Sequence, residues 1–162
     1  MTAIRAEGGS ESGRFRLALL GLSLLSIGGT AVELAMERHW KTFIQLIPWI
    51  GLGVLMAAAL LVVLWPSARR VWLARALAVA VVGISAFGTW EHVDANYQSG
   101  PLDFRYSESW ATMTAASRWW KAATKTVGPS PVLAPVVLAQ AGLCVLLATI
   151  RHPALRREDS AL

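Results

Sequence analysis

The apolar run at residues 15–36, FRLALLGLSLLSIGGTAVELAM, most constrains what this chain can fold into. It contains 22 residues and one charged side chain, Glu33, which lies near its end. A helix of about 20 apolar residues is long enough to cross a bilayer core of about 30 Å. Three further apolar runs of similar length follow it. The sequence therefore predicts an all-α protein, a four-helix transmembrane bundle.

The four predicted membrane helices lie at residues 15–36, 46–65, 71–90 and 131–150, within a membrane domain at 15–152. Pro48 and Pro131 stand in the first turns of the second and fourth helices, where proline is tolerated. Residues 1–14 are polar and rich in Gly and Ser, so we predict a disordered cytoplasmic tail there. Residues 153–162 form a second predicted cytoplasmic tail.

The long connection at residues 91–130 departs from a minimal bundle. Within it, SESWATMTAASRWWKAATKT predicts a short amphipathic helix that Ser107 caps, with Trp110, Met113 and Trp120 on one face. Tryptophan and lysine side chains together suit the boundary between membrane and water. We therefore predict that this helix lies on the outer membrane surface. The alternative is a lid packed over the mouth of the bundle.

Composition excludes several classes of function. The net charge of +5 is explained by Lys and Arg that flank membrane helices, so we predict no nucleic-acid partner. Cys144 is the single cysteine, which rules out an intrachain disulfide and the thiol oxidoreductases that need paired cysteines. The sequence has no GxSxG, HExxH, P-loop or dinucleotide-binding motif. We therefore predict that the protein is not an enzyme.

The distribution of Lys and Arg predicts the orientation in the membrane. With the N-terminus in the cytoplasm, nine of these residues fall on the inside and six on the outside. Four of the six lie in the long connection, where they have little influence on topology. The count favours a multi-pass protein with both termini in the cytoplasm.

Acidic and histidine side chains gather at the predicted outer ends of the first and third helices. Glu33 lies about 27 Å along its helix, and Glu91 about 30 Å along the third, which runs in the same direction. These side chains share one predicted level: Glu33, Glu37, His39, Glu91, His92 and Asp94. We therefore expect one polar cluster on the outer side.

The helical faces refine this expectation. Glu33 and His92 each belong to a stripe of small and polar residues along one helix face. The stripe on the first helix is Ser26, Gly29 and Glu33, and the stripe on the third is Ser85, Gly88, His92 and Asn96. Membrane helices turn such surfaces toward one another. The pattern predicts that Glu33 and His92 face inward and lie close together, whereas Glu91 points toward the headgroups.

Three interpretations of this cluster compete. The first is a structural contact between Glu33 and His92. The second is a cation or transition-metal site with Glu33, His39 and His92 as ligands, because carboxylate and imidazole suit zinc, copper or iron. Its supporting residues would be Glu37, Glu91, Asn96 and Gln140. The third, a haem between His39 and His92, is disfavoured because helix ends would enclose it poorly. The identity of any cofactor stays open.

Gln140 is the polar side chain near the middle of the fourth predicted helix. An interhelical hydrogen bond would explain its presence there, since polar side chains connect membrane helices in this way. The alternative is that Gln140 lines the path of a transported solute.

Three stretches carry a resemblance to known proteins: GTAVELAMERHWKTFIQLIPW, WEHVDANY and LAPVVLAQAGLCVLLATIRHPAL. Together they resemble small four-helix bacterial inner-membrane proteins of unassigned function. The resemblance implies a location in the bacterial inner membrane and no catalytic role.

Two functions are consistent with these observations. The leading prediction is a non-enzymatic membrane protein whose outer cluster binds a cation or metal, or supports transport of a small solute. The alternative is a structural or accessory subunit of a larger membrane complex. The predicted partners are the lipid bilayer and either other membrane subunits or further copies of this chain.

Overall fold

The computed structural model describes the backbone of residues 2–155 and the side chains of residues 11–155. It contains five α-helices and two short 3-10 turns, at Gly100–Leu102 and Trp110–Thr112. The helices are α1 (Thr2–Met36), α2 (Phe43–Leu64), α3 (Ala68–Ser99), α4 (Ala115–Ala123) and α5 (Ala134–Thr149). Over this range the chain forms no strand, so the all-α prediction is confirmed.

The chain divides into two compact units. We call Met1–Ile84 with Val137–Leu162 the four-helix unit, because it holds α1, α2, the first half of α3 and nearly all of α5. We call Ser85–Val136 the aromatic unit. It holds the second half of α3, both 3-10 turns and α4.

The core of the four-helix unit is apolar and built largely from small side chains. Its buried alanines come from three helices: Ala58 and Ala59 in α2, Ala74 and Ala78 in α3, and Ala141 and Ala148 in α5. Small residues let helix backbones approach closely, which is the usual packing of helices in membranes.

Hydrogen bonds between α1 and α5 define how these two helices pair. The Ser23 hydroxyl donates to the carbonyl of Ala141 at 3.0 Å, and Arg16 Nε donates to the carbonyl of Ala148 at 2.7 Å. Because the partner in α5 moves back by seven residues as the chain advances by seven in α1, the two helices are antiparallel.

Large apolar side chains cover the outside of this unit. Leu17, Leu25, Val79 and Leu147 are each half exposed or more, whereas six of the fourteen buried residues in the core are alanines. The helices α1, α2 and α3 are long and apolar enough to cross a membrane, and α5, with 16 residues, is shorter. These features support an integral membrane protein with at least three crossing helices.

Several helix boundaries differ from the sequence prediction. Helix α1 begins at Thr2, in the segment predicted to be a disordered tail at 1–14. Helix α2 begins at Phe43, so Pro48 lies inside it rather than in its first turn. The Thr42 hydroxyl accepts a hydrogen bond from Gln45 N and so caps this earlier start. The predicted tail at 153–162 lies mostly outside the described residues.

The connection between α3 and α5 is shorter and more structured than predicted. Helix α3 continues to Ser99, nine residues beyond its predicted end at Trp90, and α5 begins at Ala134 rather than 131. The predicted amphipathic helix is α4, which Thr114 caps instead of Ser107. Trp110 and Met113 precede α4, so the predicted shared face with Trp120 does not form.

Candidate functional site

The predicted outer cluster begins at the end of α1, where a left-handed turn ends the helix. Arg38 has a φ of 50°, and His39 N donates to the carbonyl of Leu34 at 2.8 Å. Glu33 and Glu37 are exposed, and His39 is half-buried. The prediction that Glu33 faces inward is therefore wrong. Among the described side chains of α1, the buried ones are those of Leu20, Ser23, Ile27 and Thr30 instead.

The predicted inward stripe on α3 is confirmed in part. Ser85 is 2% exposed and Asn96 is fully buried, while His92 and Glu91 are half-buried. These residues belong to the aromatic unit, whereas Glu33, Glu37 and His39 belong to the four-helix unit. Among the side chains of residues 11–155, no three His, Cys, Asp or Glu gather closely enough to hold a metal ion. The metal site stays a prediction.

Gln140 does not take the predicted place between helices. Its side chain is exposed on α5, one residue from the buried Ala141. The polar group that connects helices at this level is the hydroxyl of Ser23, which is fully buried. The Ser23 side chain is short enough to reach a backbone carbonyl where the helices approach closely. The sequence pattern did not identify Ser23 as the residue that makes this contact.

Aromatic rings form the framework of the aromatic unit. Trp119 stacks on Tyr97 with ring centroids 4.3 Å apart and on Trp90 at 5.2 Å. Tyr97 also meets the edge of Trp110 at 5.5 Å, and Trp110 is 4% exposed. Offset and edge contacts of this kind stabilise beyond simple area burial. Helix α4 therefore packs on the last turns of α3.

Asn96 is the polar centre of this unit. Its amide nitrogen donates to the carbonyls of Ala122 and Ser130 at 3.2 and 3.0 Å, and its Oδ1 accepts from Ser130 N at 2.8 Å. One buried side chain thus connects α3, the end of α4 and the segment before α5. The sequence analysis gave Asn96 a supporting role in a metal site, but these three bonds give it a structural one.

Two glycines allow close approaches around Asn96 and Trp110. Gly128 has a φ of 80°, and a Cβ there would lie 2.6 Å from the Cα of Asn96. A Cβ on Gly100 would lie 2.6 Å from Cδ2 of Trp110. Only glycine fits at either position without a shift of the backbone or of the indole ring.

The end of the first 3-10 turn and the loop that follows it present the most exposed apolar side chains of this unit. Leu102 is 85% exposed and Phe104 is 89% exposed. Between and after them, Asp103 and Arg105 form an ion pair at 2.6 Å, and Arg105 also donates to the carbonyl of Thr126 at 2.8 Å. The hydrogen bond from Arg105 lowers the pKa of the Asp103 carboxyl below its ordinary value. The loop is thus held in place while its apolar side chains point outward.

An open depression of about 420 Å³ lies beside this loop. It is lined by Ser99, Leu102, Asp103, Arg105, Gly128 and Pro129. The sequence analysis placed this stretch, PLDFRYS, in the long connection at residues 91–130 and did not identify it as a surface feature. The sequence signal that could have indicated this surface is the alternation of apolar and charged residues at 102–105, LDFR.

Comparisons with protein-family models, with curated proteins and with solved structures found no match. No family is identified for the chain, and the resemblance to small bacterial inner-membrane proteins stays a prediction.

Proposed function

We propose that this chain is a non-enzymatic accessory subunit of the bacterial inner membrane, which docks on a partner membrane protein through Leu102 and Phe104. The observation that carries the proposal is the near-complete exposure of these two side chains on a loop that the Asp103–Arg105 pair and Thr126 hold in place. Large apolar side chains on an ordered surface mark interaction sites.

In the proposed arrangement all four long apolar segments cross the membrane, and both termini lie in the cytoplasm. The excess of Lys and Arg on the inner side supports this orientation. The antiparallel pairing of α1 with α5 is also consistent with it. Helix α5 spans about 24 Å at 1.5 Å per residue, so it would cross a locally thinned bilayer.

The accessory role is preferred over solute transport because of what fills the four-helix unit. Transport requires a polar path between the helices. The fully buried side chains of its core include Leu55, Val71, Val81 and Val145. Its buried polar side chains are short hydroxyls and one histidine, and Gln140 is exposed. Isolated hydroxyls explain helix packing better than they explain a path.

Replacing both Leu102 and Phe104 with serine is expected to weaken partner binding about 1,000-fold, since two central apolar anchors of about 2 kcal/mol each contribute about 4 kcal/mol. The measurement is cross-linking in intact membranes from a photoreactive residue at the exposed position 107, which none of the variants changes, followed by purification and determination of the stoichiometry. The matched control is Leu133→Ser, which removes a similarly exposed leucine (73%) of the same unit.

One partner cross-linked at a fixed ratio, and lost in the double variant but not in the control, is the expected result. Cross-links to lipid alone would mean that the loop enters the membrane interface, and they would overturn the accessory role. So would a partner that the double variant binds as well as the parent does.

A cation site at the end of α1 is the second candidate. Glu33 and Glu37 are one helical turn apart and both exposed, and His39 follows in the turn that ends the helix. Two carboxylates and an imidazole are suitable ligands for a transition metal. Among the described side chains no three such groups gather closely enough to hold a metal, so binding would have to draw Glu33, Glu37 and His39 together.

Elemental analysis of gently solubilised protein tests this second candidate. We expect one equivalent of metal in the parent and a several-fold loss in Glu33→Gln and in His39→Ala. The control is Glu11→Gln, which removes an exposed carboxylate near the other end of α1. Parent protein that stays free of metal after incubation with zinc would eliminate the candidate.

A further inference from the structure

The end of the four-helix unit at which α5 finishes carries two inward-reaching arginines. Arg75 donates from Nε to the Thr149 hydroxyl at 3.0 Å and from Nη2 to the Thr149 carbonyl at 2.7 Å. Arg16 donates to the carbonyl of the preceding residue, Ala148. Cationic side chains at a helix C-terminus satisfy its last carbonyls and the negative end of its dipole.

The positive charge here exceeds what the helix end requires. A helix C-terminus is equivalent to roughly half a negative charge, whereas Arg16 and Arg75 bring two positive charges. The buried His152 lies in their field, and its pKa is lowered by burial first and by both arginines second. Four exposed arginines add positive charge at this end. Arg14 lies in α1, Arg69 and Arg70 lie in the first turn of α3, and Arg151 follows α5.

Among the side chains of residues 11–155, acidic groups are scarce at this end. The described acidic residues of the four-helix unit are Glu11, Glu33 and Glu37. Glu33 lies about 25 Å along α1 from Arg16, at 1.5 Å per residue, and Glu37 lies further still. Glu11 is therefore the one described carboxylate on the same side as these arginines.

Tryptophans give the depth of this end in the membrane. The Trp72 ring is 60% exposed, and its centroid is 4.7 Å from the Arg75 guanidinium carbon. Trp65 is 56% exposed, and its carbonyl accepts from Arg70 at 3.2 Å. Tryptophan concentrates at the level of the lipid headgroups. Arg75 therefore lies at the level of the lipid phosphate groups. Two N–H groups of its guanidinium donate hydrogen bonds to Thr149, and three further N–H groups remain.

We propose that this end of the four-helix unit binds the phosphate of an anionic phospholipid, with Arg75 as the principal donor and Trp72 packed beside the lipid. Arginine recognises phosphate through paired N–H donors, and basic pockets between membrane helices bind anionic headgroups. The exposed Arg69 and Arg70 add attraction for the same leaflet. This inference is independent of the proposed docking through Leu102 and Phe104.

The test compares full-length protein in phosphatidylcholine vesicles with and without phosphatidylglycerol. The measurements are the unfolding temperature and the number of phosphatidylglycerol molecules retained in native mass spectrometry. We expect phosphatidylglycerol to stabilise the parent and to be retained, and Arg75→Gln to weaken its binding about five-fold, as loss of one basic residue near the surface implies. Lys41→Gln, beyond the opposite end of α1, should leave binding unchanged.

A second variant separates lipid binding from capping of α5. Thr149→Val removes the hydroxyl that Arg75 contacts but keeps the guanidinium, so it should lower the unfolding temperature in both lipids and preserve the preference for phosphatidylglycerol. If Arg75→Gln does not fold, the double variant Arg69→Gln and Arg70→Gln supplies a second comparison, and it should weaken the preference for phosphatidylglycerol without abolishing it.

Equal stabilisation by the two lipids would overturn the proposal. So would an undiminished preference in Arg75→Gln, or an equal loss of preference in Lys41→Gln. Inorganic phosphate added to the protein in uncharged detergent distinguishes the source of the anion. Stabilisation by phosphate that matches the effect of phosphatidylglycerol would show a site for soluble anions rather than for lipid.

Discussion

Replacing Asn96 with leucine is expected to unfold the aromatic unit while α1 and α2 stay folded. The substitution leaves the carbonyl and the N–H of Ser130 without their partner, and it removes one donor from the carbonyl of Ala122, which still accepts from Lys125 N. Each buried polar group left unpaired costs about 1–3 kcal/mol. The expected total is therefore about 3 kcal/mol or more, a large share of the stability of a unit of this size.

Hydrogen exchange and limited proteolysis in detergent measure this effect. The amide of Ser130 and the segment 100–130 should lose protection in Asn96→Leu, and protection in α2 should not change. Gln98→Leu is the matched control, because Gln98 lies two residues further along α3 and is exposed. A variant at position 96 that keeps parental protection at Ser130 would contradict the role assigned to Asn96.

Asn96→Asp sharpens the test. The aspartate keeps an oxygen for Ser130 N but replaces the donating amide with a second oxygen that faces two carbonyls. We expect it to lose protection despite its similar shape, because the donor is needed as well as the acceptor.

Gly142→Leu is expected to destabilise the four-helix unit by about 3 kcal/mol. A Cβ at this position would lie 3.1 Å from Cγ2 of Val82 and 3.2 Å from the carbonyl oxygen of Ala78. The valine methyl has little room and the backbone carbonyl cannot rotate away, so a larger side chain must push α5 away from α3. Overpacking of this kind costs about 1–3 kcal/mol, and leucine is at the upper end.

Unfolding in mixed detergent micelles, followed by tryptophan fluorescence, measures this loss. Gly53→Leu is the control, because a Cβ on Gly53 meets nothing within 4 Å and the residue is exposed. That variant should be as stable as the parent. Equal losses in the two variants would show that leucine disturbs either helix irrespective of packing.

The helix faces illustrate why the site was harder to predict than the fold. The spacing Ser85, Gly88, His92 and Asn96 indicated the inward face of α3, and the burial of Ser85 and Asn96 confirms it. The same argument on α1 selected Glu33, which is exposed. Adjacent residues on a helix point about 100° apart. How packing rotates a helix about its axis therefore decides which residues face inward and which face outward.

The role of Asn96 could not be read from spacing. Its partners, Ala122 and Ser130, are 26 and 34 residues away and contribute backbone atoms. Every residue type carries the same backbone C=O group, and nearly every one carries the same N–H group. The sequence therefore contained no signal for which of these groups Asn96 would bind. Gly128 offered a weak signal, since an isolated glycine in a connection often marks a close approach.

The sequence by itself determined that the chain is helical, apolar and suited to a bilayer. That information is local, because the length and hydropathy of a run decide whether its backbone can be satisfied in lipid as a helix. Only the tertiary structure decided where α3 ends, which side chains are buried and which loop is exposed. Trp119 of α4 stacks on Tyr97 in the last turn of α3, and this contact accompanies the extension of α3 to Ser99. Such contacts join residues that are distant in the chain, so they exist only once the units have packed.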